Sequence, residues 1–150
     1  MLTEADLNAL TWNIIKGAMA VHRALGPGLL ESAYQACLLF ELQASGLSVR
    51  SRVDLPLVYR EVVLQCGYSI DIVVEDVVIL ELKAIEKILP VHEAQLLTYL
   101  QLAKKPIGLL LNFNVAQMKD GIKRKIRSEN MPAAPEGMAV SDPAAGSSNT

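Results

Sequence analysis

Apolar residues recur at helical spacing in three segments of the chain. In the first, residues 3 to 25, they fall every three or four positions, which predicts an amphipathic helix. A Gly-Pro-Gly sequence at 26 to 28 ends this helix, and a second helix is predicted from 29 to 45. Pro90 suits the first turn of a third helix, which we expect to run to about residue 103.

Elsewhere the apolar residues form short runs that are typical of strands. Residues 48 to 59 and 77 to 83 predict strands, and 62 to 66 and 68 to 74 are strand-like. A continuous apolar run at 107 to 113 predicts a buried strand, and we expect 117 to 127 to form a short basic helix. The order ααβββαβα, with a β-α-β crossover after a hairpin, favours an α/β fold with a mixed sheet flanked by helices.

Three charged residues interrupt the most apolar of these strands. Asp71, Glu81 and Lys83 lie among Ile, Val and Leu residues, where an unpaired charge is costly to bury. A buried carboxylate has to pair, take up a proton or bind a metal. Two carboxylates and a lysine in one apolar hairpin suggest a site for a hard cation and a phosphate.

The parity of the hairpin decides whether these charges meet. Side chains alternate faces along a strand, so Glu81 and Lys83 share a face. A two-residue turn would put Asp71 and Glu81 on opposite faces, whereas an odd-length loop or a bulge pairs Val74 with Val78 and sets Asp71 across from Glu81. The metal hypothesis therefore predicts an odd loop or a bulge. The alternative is an exposed acid at 71 and a surface pair of Glu81 with Lys83.

Two predicted helices carry further polar candidates. Glu31 and Tyr34 are neighbours on one helix face, although a glutamate in a first turn is also favourable simply through the helix dipole. His92, Gln95 and Tyr99 share a face of the third helix, which must meet water or a polar cavity. Gln95 suits a phosphate or a metal-bound water, while a histidine near a helix start often has a structural role.

Composition limits the class of protein. Hydrophobic residues make up 51% of the 150 residues, and no apolar run approaches the roughly 20 residues of a membrane-spanning helix. The start of the chain does not resemble a signal peptide, so we expect a cytoplasmic protein without membrane contact. The two cysteines show no metal-binding spacing.

Positive charge is local, because the net charge is −2. Lysines and arginines crowd positions 119 to 127, including Lys123 and Arg124, and suit either a solvated helix end or a phosphate-facing patch. From residue 128 the chain is rich in Pro, Ala, Gly and Ser, which predicts one domain at 1 to 127 and a disordered tail at 128 to 150.

Taken together, four motifs in this order resemble the GxxExxY family of the PD-(D/E)XK nuclease-like superfamily. They are G-L-L-E-S-A-Y at 28 to 34, Asp71, E-L-K at 81 to 83 and H-E-A-Q-L-L-T-Y at 92 to 99. The resemblance covers roughly residues 5 to 127, and it implies a restriction-endonuclease-like core. One departure is Ile70, which stands where the superfamily name has proline.

The resemblance implies a role for each motif. It makes Asp71, Glu81 and the backbone carbonyl of Leu82 ligands of Mg²⁺ or Mn²⁺, with Glu31 as a helix-borne acid that is also a candidate ligand. Lys83 would orient or help to deprotonate the attacking water. The pair Gln95 and Tyr99 is similar to the Q-x-x-x-Y pair of helicase–nuclease machines and some phage exonucleases. We expect Gln95 to be catalytic together with Lys83 and Glu31. The candidates for substrate binding are Tyr99, His92, Tyr34, Lys123 and Arg124.

These observations lead to a first hypothesis and two alternatives. The first is a metal-dependent nuclease that hydrolyses phosphodiester bonds of nucleic acid, with DNA favoured as the partner. The second is a catalytically inactive module of the same fold that binds nucleic acid or another protein, which the acidic composition favours. The third is a metal-dependent enzyme for another phosphorylated substrate. The sequence leaves open whether a homodimer supplies a wider basic surface.

Overall fold

A computed structural model describes residues 2 to 127 of the chain. The predicted tail at 128 to 150 lies outside the described residues. No helix in the described part is both long and apolar enough to cross a membrane.

The three predicted helices are confirmed. They are α1 (Glu4–Leu25), α2 (Glu31–Ala44) and α3 (Pro90–Ala103). Thr3 caps α1 reciprocally, because its hydroxyl accepts from the Asp6 N–H at 3.0 Å and its own N–H donates to the Asp6 carboxylate at 2.9 Å. Pro90 occupies the first turn of α3, where its missing N–H removes no helical hydrogen bond.

Between residues 2 and 127, seven strands accompany these helices, and five of them form one mixed sheet of order β1-β4-β5-β6-β7. Helix α3 connects β5 to β6, which run parallel, and the other neighbours in this sheet are antiparallel. The predicted mixed sheet flanked by helices is thus confirmed. The strands are β1 (Val49–Asp54), β2 (Leu57–Tyr59), β3 (Val62–Leu64), β4 (Ser69–Val74), β5 (Val78–Lys83), β6 (Ile107–Asn112) and β7 (Ile122–Ile126).

The predicted strand at 48 to 59 is interrupted before Pro56. Strand β1 ends at Asp54, and β2 begins again at Leu57 and pairs with β3 in a separate two-stranded hairpin. Proline has no N–H for a ladder, so a strand that reaches one bends or ends.

The predicted basic helix at 117 to 127 is wrong. Met118–Gly121 forms a single 3₁₀ turn, and β7 then pairs antiparallel with β6. Ile122 and Ile126 are four apart, which fits a helix face, but they also share one face of a strand. The segment forms a strand rather than a helix because the edge of β6 offers it backbone hydrogen bonds. At Gly121 any Cβ would collide with the carbonyl of Asn112, so only glycine allows this approach.

The helices cover the two faces of the sheet. Apolar residues of β5 alternate between them: Leu80 and Leu82 belong to the core under α1 and α2, whereas Ile79 packs with Leu96 and Leu100 of α3. Glu81 and Lys83 follow the parity of Ile79, so the candidate charges lie on the α3 side of the sheet.

The β4–β5 hairpin has the predicted odd loop. Val74 pairs with Val78, which leaves three residues in the connection. Glu75 and Asp76 adopt positive φ values of 52° and 57° there. Asp76 is held by Arg50 at 2.8 Å and by Lys105 at 2.9 Å, so the register is anchored from both neighbouring segments.

Candidate functional site

Strands β4 and β5 stop pairing at the position where Asp71 and Glu81 were expected to lie opposite each other. Their ladder ends at the pair of Ile72 with Leu80, one position before Asp71 and Glu81. Beyond that point the Asp71 carboxylate accepts a hydrogen bond from the Leu82 N–H at 2.8 Å. The side chain of Asp71 thereby replaces a backbone partner and is brought to the carboxyl end of β5.

Glu81 is the most unusual residue of the site. It is only 8% exposed, and its Oε1 atom has no hydrogen-bond partner among the described residues. Burial raises the pKa of this carboxyl well above its ordinary value, and the charge of Asp71 raises it further, while Lys83 opposes the shift. A buried acceptor without a donor is a rare and unfavourable arrangement that calls for a ligand or a proton.

Lys83 ends β5 beside these acids. It is half-buried, and its positive charge acts on Glu31 and on His92 as well as on Glu81. The lysine is therefore a positive charge shared by groups from α2, α3 and the sheet. The alternative of a simple surface pair between Glu81 and Lys83 does not describe this arrangement, because Glu81 is buried.

Glu31 begins α2 and approaches the site from the other layer. The residue as a whole is exposed, yet partial desolvation of its carboxyl group raises its pKa, and the negative charge of Asp71 adds to the shift. Lys83 opposes it. Glu31 is thus close enough to Asp71 and Lys83 for an electrostatic interaction.

Tyr34 is placed in the core rather than on a binding surface. It is fully buried and stacks on Phe113 with ring centroids 4.6 Å apart. Its hydroxyl donates to the Gly26 carbonyl at 2.6 Å and accepts from the Leu29 N–H at 3.1 Å. This burial corrects the expectation that Tyr34 contacts a substrate: the residue fixes the loop that leads into Glu31.

The polar face of α3 also borders the site. Gln95 donates to the Tyr99 hydroxyl at 3.1 Å, and Tyr99 is only 6% exposed. Burial raises the pKa of Tyr99, and the charge of Glu81 raises it further, so Gln95 and Tyr99 form a neutral pair near Glu81.

His92 has a local partner that the sequence did not predict. Its Nδ1 atom accepts from the Leu89 N–H at 2.9 Å, which closes the first turn of α3. The ring proton of a neutral His92 is therefore on Nε2. Desolvation lowers the pKa of His92, and Lys83 lowers it further, so the ring is neutral at pH 7.

The structure does not bring three ligating side chains into one cluster. Within residues 2 to 127, no group of three or more His, Cys, Asp and Glu side chains is placed to hold a metal ion. The roles of Asp71, Glu81 and Glu31 as metal ligands therefore stay predictions from the sequence.

The two basic candidates of β7 point to opposite faces. Lys123 pairs with Leu110, which in turn pairs with Glu81, so these residues form one row across the sheet. Two strand spacings of roughly 4.8 Å separate Glu81 from Lys123 along it. The neighbouring Arg124 turns to the other face and donates to the side chain of Asn8 in α1 at 2.6 Å. Only Lys123 thus lies on the face of the site.

Sequence reasoning missed two buried amides that hold the site in place. Gln35 of α2 donates to the backbone carbonyl of Asp71 at 3.0 Å. Asn112, at the end of β6, accepts from the Ile85 N–H at 3.0 Å and donates to the Ile85 carbonyl at 2.9 Å. Gln35 directly follows the G-x-x-E-x-x-Y motif, and Asn112 ends an otherwise apolar strand, which were the available signals.

Asn112→Ala should destabilise the protein by about 2 to 4 kcal/mol, because it removes two hydrogen bonds to Ile85 and leaves buried backbone groups unsatisfied. Asn112 is 1% exposed, so water cannot replace the amide without a rearrangement. Chemical denaturation measures the change. The same substitution at the partly exposed Asn114 is the control, and equal stability of both variants would contradict the anchoring role.

Comparison with known proteins adds one finding. A search of curated proteins and a search of solved structures gave no match. The family model that describes the PD-(D/E)XK nuclease superfamily matches residues 8–125, a region that runs from α1 into β7 and contains every candidate site residue. The mixed sheet flanked by helices is consistent with the restriction-endonuclease-like core of that superfamily. On the strength of this match, the chain belongs to the PD-(D/E)XK nuclease superfamily.

Proposed function

We propose that this chain is a metal-dependent nuclease that hydrolyses phosphodiester bonds of nucleic acid, with DNA as the favoured substrate. The observation that carries the proposal is the buried carboxyl of Glu81, which lies beside Asp71 and Lys83 and whose Oε1 atom has no hydrogen-bond partner among the described residues. The motif order at 28 to 34, 81 to 83 and 92 to 99 further supports assignment to the GxxExxY subfamily.

The donor set suits a divalent cation, which nucleases of this superfamily generally use. Glu81 offers an oxygen without a partner, and one oxygen of Asp71 is held by the Leu82 N–H. Mg²⁺ and Mn²⁺ accept a few carboxylates and complete their shell with waters and substrate phosphate. A site of two carboxylates and the Leu82 carbonyl matches this coordination preference.

When bound, the cation would polarise the scissile phosphate and increase the acidity of a coordinated water. The protein side chains have separate tasks. Lys83 stabilises the negative charge that develops on the phosphate oxygens and orients the attacking water. Glu31, whose carboxyl interacts electrostatically with Asp71 and Lys83, is the helix-borne acid of the site and a candidate third ligand.

The α3 side chains bind and orient the substrate. Gln95 and Tyr99 form a rigid neutral pair that offers hydrogen bonds beside the acids without adding charge. The Nε2–H of His92 is free to donate to a phosphate, because Nδ1 is already used within the helix turn. These roles favour a substrate strand that passes along the start of α3 toward Lys123.

The activity is tested by incubating the purified chain with single- and double-stranded DNA and RNA, with Mg²⁺, Mn²⁺ or EDTA. Cleavage that requires the metal supports the proposal. Binding without cleavage in every metal would favour the inactive nucleic-acid-binding module instead. Cleavage that persists in EDTA would contradict metal dependence.

Lys123→Ala should weaken nucleic-acid binding and reduce the slope of log affinity against log salt by about 0.7 to 1, because one phosphate contact is lost. Arg124→Ala is the matched control: it removes an equal charge from the adjacent position, but on the face of α1. Fluorescence anisotropy at several salt concentrations measures both. Equal losses for the two variants would mean that only net charge matters.

A further inference from the structure

Strand β4 is interrupted at Asp71 on the side of β1 as well as on the side of β5. Strands β1 and β4 pair up to Ser51 with Ile72 and resume at Val53 with Ile70. The pair between them, Arg52 with Asp71, is missing from the ladder. Arg52 has a φ of 52°, and in the described part of the chain it is the only non-glycine residue inside a strand with positive φ.

The faces of both strands change at this position. Ile72 belongs to the core under α1 and α2, whereas Ile70 packs on the α3 side, although the two have the same parity. Val49 and Val53 of β1 show the same change. In a regular strand residues two apart share a face, so the backbone rotates between them. The rotation is centred on Asp71 and its neighbour Arg52.

A side chain from α2 takes the place of the missing ladder partner. The amide of Gln35 donates to the Asp71 carbonyl at 3.0 Å, and Gln35 is only 9% exposed. A buried carbonyl that loses its strand partner needs another donor. On the opposite side the Asp71 carboxylate is fixed by the Leu82 N–H at 2.8 Å.

We propose that Gln35 is a positioning residue of this site: its amide holds the interruption of β4 and thereby aims the Asp71 carboxylate at the carboxyl end of β5. The consequence for metal binding rests on the proposed function, but the positioning itself does not. Without the amide, β4 is free to relax toward a regular strand, which would rotate Asp71 away from Leu82 and Glu81.

The test compares Gln35→Met, which keeps the length of the side chain but removes the donor, with Gln43→Met at an exposed position of the same helix. Amide hydrogen exchange by NMR on the metal-free protein reports the Asp71 contact directly. In Gln35→Met we expect the Leu82 amide to exchange about 10-fold faster, as for the loss of one hydrogen bond, relative to Ile79 and Leu80. Gln43→Met should leave this ratio unchanged.

Mn²⁺ affinity, measured by calorimetry, is the second readout. We expect Gln35→Met to weaken it on the order of 10-fold, as for other residues that orient a metal ligand, and Gln43→Met to leave it unchanged. Equal acceleration of all β5 amides would show that Gln35 has a general structural role. No acceleration of Leu82 would show that Gln35 does not hold Asp71. Either result would overturn the inference. Wild type that takes up no Mn²⁺ would overturn the proposed function, and the exchange of Leu82 would still decide the role of Gln35.

Discussion

Lys83→Met should reduce metal-dependent cleavage by about 100- to 1000-fold while metal binding persists, because the lysine stabilises charge that develops only in the transition state. Methionine keeps the unbranched apolar stem of lysine and removes the charge. Lys83 is half-buried, and its charge acts on Glu31 and His92. Strand β5 contains no second cation that could replace it. Single-turnover cleavage with saturating enzyme separates the chemical step from binding.

Asp71→Asn should abolish cleavage for a different reason. It removes a carboxylate from the ligand pair, so both metal affinity and rate are expected to fall. The two variants therefore differ in one measurable respect: Mn²⁺ binding survives in Lys83→Met and is lost in Asp71→Asn. Lys87→Met, at an exposed position in the loop after β5, is the control for loss of a lysine.

Two outcomes would contradict this assignment. Cleavage by both variants at the wild-type rate would mean that the activity belongs to a contaminant. Loss of Mn²⁺ binding in Lys83→Met would mean that the lysine organises the ligands rather than the reaction.

Local sequence patterns were sufficient to predict the register of the hairpin that carries the charged residues. Strand alternation placed Glu81 and Lys83 on one face, and the requirement that Asp71 join them predicted an odd hairpin loop, which the pairing of Val74 with Val78 confirms. This prediction succeeded because it needed only the two-residue period and the cost of a buried charge.

The parts that failed depend on partners distant in sequence. The segment at 122 to 126 has a spacing that fits both a helix and a strand, and the exposed edge of β6 selects the strand. The same pairing separates Lys123 from Arg124, which looked equivalent in the sequence. The position of Gln35 directly after the motif tyrosine was a signal for the residue, but it does not show that Gln35 donates to Asp71, 36 residues further along the chain.

Glu81→Gln should stabilise the metal-free protein at neutral pH by about 1 to 3 kcal/mol and raise its Tm by roughly 3 to 10 °C. Glutamine keeps the shape of the side chain, and its amide can donate to the neighbouring Asp71 carboxylate. The substitution thus removes a buried carboxyl whose Oε1 has no donor among the described residues.

The gain should grow with pH. Burial and the charge of Asp71 raise the pKa of Glu81 in the folded protein above the ordinary 4.5, while Lys83 opposes the shift. In the unfolded chain the carboxyl ionises near its ordinary value, so the folded state retains the proton longer and loses stability as pH rises between the two pKa values. Below the ordinary pKa both states are protonated, and the advantage of glutamine from this source disappears.

Metal should reverse the order of stability. A ligand that binds only the folded state at 1,000 times its Kd adds about 4.1 kcal/mol, which exceeds the gain from the substitution, and we expect Mn²⁺ to add this to wild type and little to Glu81→Gln. Thermal denaturation of wild type and Glu81→Gln at pH 5 and pH 8, with EDTA or with Mn²⁺, measures these differences in stability. A less stable variant in EDTA with an undiminished response to Mn²⁺ would show that Glu81 supports the fold and not the metal. The predicted pattern would instead show that burying this carboxyl lowers stability until a cation provides its missing partner.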